Sequence, residues 1–134
     1  MDKEGASPSI IIPKNLNPRP FDEEIWVAWI LLDFFQTDII FVERNNTKTP
    51  DFKIKNQYWE LKSPKDTSSK TIENLLRNAT KQSKNIIISL KRTSMKPDKV
   101  ISNINSFISK SPSKINRVIL ITKNKKIIDV IQKR

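Results

Sequence analysis

Two carboxylates and one lysine in the middle of the sequence have a spacing that could support metal chemistry. Asp51 is followed after eight residues by Glu60, and Lys62 lies two positions further on. Carboxylate oxygens, together with a backbone carbonyl and water, suit Mg²⁺ or Mn²⁺. Such a metal lowers the pKa of a bound water and stabilises charge on a phosphoryl oxygen. A lysine beside it can orient or deprotonate the attacking water, so these residue types favour phosphodiester hydrolysis.

The three charged residues fall on one face of a predicted β-hairpin, because side chains alternate along a strand. Lys55-Asn56 is expected to form a two-residue turn. That turn pairs Phe52 with Trp59 on the core face. It pairs Asp51 with Glu60 on the opposite face, about 5 Å apart, where the two like charges repel unless a positive charge lies between them. Lys62 supplies part of that charge, and a divalent metal would supply more. A slip of one residue would send the carboxylates into the core, so the apolar pattern supports this register.

The composition removes most other catalytic chemistries. The 134 residues contain no His, no Cys and a single Gly. His-based acid–base catalysis, thiolate nucleophiles, His or Cys metal sites and Gly-rich phosphate loops are therefore excluded. No apolar run reaches the roughly 20 residues of a membrane span, and the N-terminus does not resemble a signal peptide.

Positive charge is concentrated in the second half of the chain. The net charge is +11, with 25 basic and 14 acidic residues. Residues 1–62 hold 8 basic and 10 acidic side chains, net −2, whereas residues 63–134 hold 17 basic and 4 acidic, net +13. This asymmetry favours a polyanion as partner for the second half and a bound cation in the first.

Hydrophobic periodicity predicts an α/β sandwich of two or three layers, with a mixed sheet and the order αβββαβαββ. Helices are expected over about 21–36, over about 70–83 and from Pro97 onward. Strands are expected over 39–42, 51–54, 57–62, 85–90, 118–122 and 127–131.

The predicted domain occupies residues 20–134, preceded by a flexible N-terminal tail over residues 1–19. The first helix is apolar nearly all round, so we expect it to be largely buried. Trp26, Trp29 and Trp59 are expected to lie in the core rather than to stack on a ligand.

Several segments resemble, in order, those of a nuclease superfamily. Pro50-Asp51 and Glu60-Leu61-Lys62 resemble the PD-(D/E)xK signature. A longer run of matches, over roughly residues 20–131, resembles the C-terminal nuclease domains of CdiA-type contact-dependent inhibition toxins. The segments that carry this resemblance are Phe21-Asp22-Glu23-Glu24, Thr49-Pro50-Asp51-Phe52, Trp59-Glu60-Leu61-Lys62-Ser63-Pro64, Thr71-Ile72-Glu73-Asn74, Ala79-Thr80-Lys81-Gln82-Ser83 and Asn85-Ile86-Ile87-Ile88.

The resemblance implies a restriction-endonuclease-like αβββαβ core, with a mixed sheet flanked by helices, and a metal-dependent nuclease that often acts on tRNA. By position, Asp51 and Glu60 resemble the metal ligands and Lys62 resembles the catalytic lysine. Glu24 resembles a further acid near the metal, and Glu23 in the same turn is an alternative. The resemblance also implies Mg²⁺ or Mn²⁺ as cofactor, an immunity protein as partner, and action in the cytoplasm of a target cell if the toxin is delivered.

Further residues are candidates for contact with nucleic acid. Tyr58 shares the predicted face of the carboxylates, and Gln82 lies late in the second predicted helix. A set of basic residues after the motif is expected to bind phosphates together: Lys65, Lys70, Arg77, Lys81 and Lys84.

The residues do not distinguish RNA from DNA, and tRNA is the first expectation only through the resemblance. A DNA endonuclease of a mobile-element, restriction or repair system is one alternative. A nucleic-acid-binding module without catalysis is another, in which the three charged residues would form an exposed sheet face with a surface salt bridge.

Overall fold

A computed structural model describes residues 7–44, 49–112 and 114–132. Within these residues the chain forms a mixed α/β fold of seven strands and three helices. The elements are β1 (Ile10–Ile11), α1 (Asp22–Phe35), β2 (Ile39–Phe41), β3 (Phe52–Ile54), β4 (Gln57–Lys62), α2 (Thr71–Ala79), β5 (Asn85–Ser89), α3 (Pro97–Lys110), β6 (Arg117–Ile121) and β7 (Ile127–Gln132). From α1 onward, the order of the elements is the predicted αβββαβαββ.

The seven strands form one mixed sheet in which the spatial order follows the sequence. β1 pairs with β2 in parallel, and β4, β5 and β6 form a parallel block. The pairs β2–β3, β3–β4 and β6–β7 are antiparallel. A parallel connection needs a crossover, which α2 provides between β4 and β5 and α3 between β5 and β6.

The helices cover both faces of the sheet, which makes the fold a three-layer sandwich. Residues of α1 pack in one core with Phe52, Trp59 and Ile87. Residues of α2 and α3 pack in a second core with Ile86 and Ile88. Because neighbouring residues of β5 point to opposite faces, the two cores lie on opposite sides of the sheet.

The β3–β4 hairpin has the predicted register. Phe52 pairs with Trp59 and Ile54 with Gln57. Lys55 and Asn56 form the turn, with φ of 51° and 67°. Positive φ at both central residues is the type I′ arrangement, whose twist matches the twist of the two strands.

The N-terminal segment is not the unstructured tail expected from sequence. Ile10–Ile11 forms β1 at the sheet edge, and Leu16 is buried. The N–H of Ser9 donates to Asp38 Oδ1 at 2.8 Å, which anchors the segment beside β2. The segment buries apolar side chains through a pairing remote in sequence, which its prolines concealed. Residues 1–6 of the expected tail lie outside the described residues.

Helix α1 is less buried than its apolar sequence predicts. Val27, Ala28 and Leu31 are fully buried, but Trp29 is 61% exposed and Phe34 is 42% exposed. One sheet covers only one side of a helix, so an apolar helix in an outer layer leaves aromatic side chains in solvent. The prediction that the tryptophan side chains lie in the core is therefore confirmed for Trp59 and wrong for Trp29. In the described part of the chain, none of the helices is long and apolar enough to cross a membrane.

The turn residues of the hairpin offer a test of the register. The double variant K55N/N56G introduces the dipeptide that type I′ turns favour, at two positions that already have positive φ. We expect the free energy of unfolding to rise by about 1 kcal/mol, because a left-handed conformation at Lys55 carries a steric cost. Urea denaturation measures this change, and a lower transition midpoint would contradict the turn assignment.

Candidate active site

The hairpin register brings Asp51 and Glu60 together at the start of β3 and near the end of β4. The N–H of Asp51 donates to the carbonyl of Trp59 at 2.9 Å, and the N–H of Leu61 donates to Asp51 Oδ2 at 2.8 Å. Glu60 pairs with Ile86 of β5, which places its side chain on the sheet face of α2. Glu60 as a whole is only 5% exposed to solvent. The two carboxyl groups therefore meet in a largely dehydrated environment.

Burial is the main cause that raises the pKa of both carboxyl groups, and in each case the charge of a neighbouring carboxylate adds to it. For Asp51 burial is the main cause, the Leu61 N–H lowers the pKa, and the charge of Glu24 raises it. Burial and the charge of Asp51 raise the pKa of Glu60 to about 8, against the opposing effect of Lys62. The pair therefore retains a proton at neutral pH when no cation is bound.

Glu60 has one buried oxygen that lacks a donor. Its Oε1 is buried and accepts no hydrogen bond from the described part of the chain. Its Oε2 lies 3.4 Å from the Lys62 ammonium. A buried carboxylate oxygen without a donor is costly, and either a proton or a cation would satisfy it.

Lys62 connects the carboxylate pair to the surface. Its side chain is 29% exposed, against 7% for Glu60. Lys62 also lines a cleft of about 240 Å³ whose other walls are the 63–66 loop and α2 residues Thr71, Leu75 and Asn78. A substrate oxygen in this cleft would lie beside the ammonium group.

Glu24 is held by other partners than the carboxylate pair. Arg44 Nη2 donates to both Glu24 oxygens at 3.0 Å, and Glu24 Oε1 accepts the N–H of Phe21 at 2.8 Å, which caps α1. The described residues contain no group of three or more His, Cys, Asp or Glu side chains arranged to hold a metal ion. Glu24 acts electrostatically on Asp51, and its role as a metal ligand stays a prediction.

Glu23, the alternative acid in the same turn, extends to the carboxyl ends of β4 and β5. Its Oε2 accepts hydrogen bonds from Ser63 Oγ at 3.0 Å and from Ser89 Oγ at 2.7 Å. Glu23 thus ties α1 to the strand end that follows Lys62. The partners Arg44, Ser63 and Ser89 gave no sequence signal, because these contacts join residues 20 to 66 positions apart.

The donor set fits a hard divalent cation. Asp51 and Glu60 supply carboxylate oxygens, one of which lacks a donor. Mg²⁺ is commonly held by one or two carboxylates, with water and substrate phosphate completing its shell. Two protein carboxylates next to Lys62, which lines the cleft, meet that requirement, whereas a structural Ca²⁺ site needs more protein ligands.

The predicted nucleic-acid contacts are spread around the site. Tyr58 is 48% exposed, with the Lys53 ammonium 5.8 Å from its ring centre. Gln82 follows the end of α2 and is partly buried. The basic residues of the set are exposed, and Arg77 forms an ion pair with Glu73. The exposed members of this set are Lys65, Lys70, Arg77, Lys81 and Lys84.

Comparison with protein families identifies the class of the chain. Residues 48–127, more than half of the sequence, match the contact-dependent growth inhibition CdiA C-terminal domain. The chain therefore belongs to the CdiA C-terminal toxin domain family. The matched residues include Asp51, Glu60, Lys62 and the cleft beside them.

A solved structure has a similar fold. It is a CdiA-CT/CdiI toxin and immunity complex from Burkholderia pseudomallei, with a TM-score of 0.60. The sequence identity is 22%, and the match covers 90% of this chain and 97% of that chain. At 22% sequence identity, the comparison shows that the two chains share a fold. A comparison with curated proteins gives no match.

The raised pKa of Glu60 predicts a pH-dependent stability. Between its ordinary value of 4.5 and about 8, the folded chain keeps a proton that the unfolded chain releases. Stability therefore falls as pH rises through this range. We expect the free energy of unfolding without metal to drop on the order of 2 kcal/mol from pH 5 to pH 9.

Glu60→Gln should remove most of this decline, because a neutral amide replaces the titrating group. The control Glu73→Gln removes an exposed carboxylate of the same type and should leave the decline in place. Urea denaturation at several pH values, in the presence of EDTA, measures these slopes. Equal slopes for the wild type and Glu60→Gln would contradict the assignment.

Proposed function

We propose that the chain is a metal-dependent nuclease of the PD-(D/E)xK class, acting as a contact-dependent growth inhibition toxin that cleaves tRNA. The observation that supports it most is the buried Asp51–Glu60 pair beside Lys62, at the edge of a solvent-accessible cleft. A stable fold gains nothing from two adjacent buried carboxyl groups, so their retention favours a functional role.

In this proposal Asp51 and Glu60 hold Mg²⁺ or Mn²⁺. The bound metal would lower the pKa of a coordinated water and neutralise charge on a phosphoryl oxygen. The Leu61 N–H donates to Asp51 Oδ2 and so restricts rotation of the carboxyl group that would bind the cation. Glu60 must release its proton when the cation binds, because a cation and a proton compete for the same carboxylate.

Lys62 is the residue that handles the attacking water. Its ammonium group lies next to the carboxylate pair and borders the cleft. There it can orient the water and stabilise the negative charge that develops on the phosphoryl group. Water oxygen bonds to phosphorus while the phosphorus–oxygen bond to the leaving nucleotide breaks. One product end therefore carries a phosphomonoester and the other a hydroxyl.

Family membership and charge support the choice of substrate and partner. The similar solved structure is a toxin with its immunity protein, which supports a cognate immunity protein for this chain. The net charge of +13 over residues 63–134 supports a polyanionic substrate. We infer tRNA as the substrate, with DNA as second candidate, and the cytoplasm of the target cell as the place of action.

Cleavage assays test the proposed activity directly. The purified chain is incubated with total tRNA and with plasmid DNA, in Mg²⁺ and in EDTA. We expect cleavage of tRNA in Mg²⁺ only, and a loss of at least about a thousandfold in Asp51→Ala, because removal of a ligand disables the metal site. Asp98→Ala, the same change at an exposed carboxylate of α3, serves as control. Absence of cleavage of either substrate, with binding unchanged in Asp51→Ala, would overturn the proposal.

The chemical groups at the ends of the cleaved tRNA distinguish hydrolysis by water from attack by the ribose 2′-hydroxyl. Water-driven cleavage leaves a phosphomonoester, whereas attack by the 2′-hydroxyl leaves a 2′,3′-cyclic phosphate. We expect no cyclic phosphate, which mass spectrometry of the cleaved tRNA ends measures. A cyclic phosphate formed in EDTA would show a metal-independent ribonuclease.

Metal binding should be measurable without substrate. Addition of about 10 mM MgCl₂ should raise the free energy of unfolding by about 1 kcal/mol at pH 8, because only the folded chain presents both carboxylates. The increase should be smaller at pH 6, where Glu60 keeps its proton. It should be absent in D51N/E60Q and retained in Glu73→Gln. Urea denaturation with and without MgCl₂ measures the increase. An equal increase in the wild type, D51N/E60Q and Glu73→Gln would indicate a general salt effect and contradict a metal site.

A further inference from the structure

We propose that the groove between α2 and α3 is a second phosphate-binding subsite, which holds the nucleic-acid backbone away from the reacting bond. This inference rests on the proposed function, since it assigns a further part of the substrate path. The groove has a volume of about 270 Å³ and is separate from the cleft beside Lys62. Arg77 of α2 and Lys110 of α3 line it from the two helices, and Lys114 lines it from the loop that follows.

The charge in the groove suits a phosphate diester. Three cationic side chains line it against the single carboxylate of Glu73, which is already paired with Arg77. Serine hydroxyls, among them that of Ser106, line the same groove. Lysine, arginine and serine side chains are the usual donors to phosphate oxygens in protein–nucleic-acid interfaces.

A buried donor points in the same direction. Asn103 lines the groove, and its Nδ2 is buried without an acceptor among the described residues. Buried N–H groups nearly always have a partner, which is a protein acceptor, a water or a bound ligand. Because this atom has almost no accessible surface, the Asn103 amide would have to turn toward the groove to donate to an anion bound there.

Helix α2 connects this groove to the candidate active site. Thr71, Leu75 and Asn78 face the cleft beside Lys62, whereas Glu73 and Arg77 face the α2–α3 groove. The two sites thus lie on opposite sides of one helix, whose diameter is about 10–12 Å with side chains. A short stretch of nucleic-acid backbone can cross this distance, with Lys70 and Lys81 exposed near the two ends of the helix.

The test compares two pairs of exposed lysines that carry the same charge. K110Q/K114Q removes the two lysine charges of the groove and leaves the Arg77–Glu73 pair, and K123Q/K126Q removes equal charge at the β6–β7 turn. Both pairs are made in the non-cleaving Glu60→Gln chain, and tRNA binding is measured by fluorescence anisotropy at several salt concentrations. We expect K110Q/K114Q to weaken binding roughly five- to tenfold and to lower the salt slope by about 1.4 to 1.8.

The control pair K123Q/K126Q should change affinity less than twofold. Equal weakening by both pairs would overturn the inference, because general charge would then explain the binding. An unchanged affinity in K110Q/K114Q would overturn it as well. Loss of immunity-protein binding in K110Q/K114Q, with normal tRNA binding, would also overturn the inference. The groove would then bind a protein partner rather than nucleic acid.

A second measurement keeps the inference separate from the proposed function. Inorganic phosphate is titrated into ¹⁵N-labelled protein while the Asn103 side-chain amide signals are followed, with Asn103→Ala used to assign them. We expect a saturable shift that disappears in K110Q/K114Q and persists in K123Q/K126Q. If the chain neither cleaves nor binds tRNA, this shift would sustain the anion site although the nuclease proposal fails. No shift at Asn103 would overturn the site.

Discussion

One costly contact, the burial of Asp51 next to Glu60, sets the demands that the rest of the candidate site must meet. Two like charges in a dehydrated environment repel strongly, and the chain offers only partial compensation. The Leu61 N–H stabilises Asp51, and Lys62 stabilises Glu60 at 3.4 Å. Burial, and after it the charge of Asp51, raise the pKa of Glu60 to about 8, so the pair retains a proton at neutral pH. In the proposed function, a divalent cation would take the place of this proton.

The surrounding elements keep this contact in register. A two-residue turn fixes the pairing of β3 with β4, and Phe52 and Trp59 lock it from the opposite face of the sheet. The parallel pairing of β4 with β5 then determines which face Glu60 occupies. Helix α1 contributes from its first turn, where Glu23 bonds Ser63 and Ser89 across 40 and 66 positions of sequence. A slip of one residue in the hairpin would break both the core and the site.

The sequence was most informative where the determinants are local. Alternation in 51–62 predicted the hairpin register, and apolar periodicity predicted each element from α1 to β7, because those signals lie within single elements. It failed for β1, whose partner strand is remote, and for Trp29, whose exposure depends on what covers α1. The Arg44–Glu24 ion pair could not be foreseen either, since only the folded chain brings the two residues together. Sequence thus located the acids of the site but not their neighbours.

The uneven charge follows from the same requirement. Carboxylates that bind a cation also repel a polyanion, so a substrate must be attracted by other parts of the surface. The chain places its acidic pair on β3 and β4 and its excess of +13 in residues 63–134, which begin directly after Lys62. Helix α2 is the first element of that basic half, and its faces border both the cleft and the α2–α3 groove. In the proposed function, attraction of the substrate and chemistry would thus fall to adjacent segments, with α2 between the cleft and the groove.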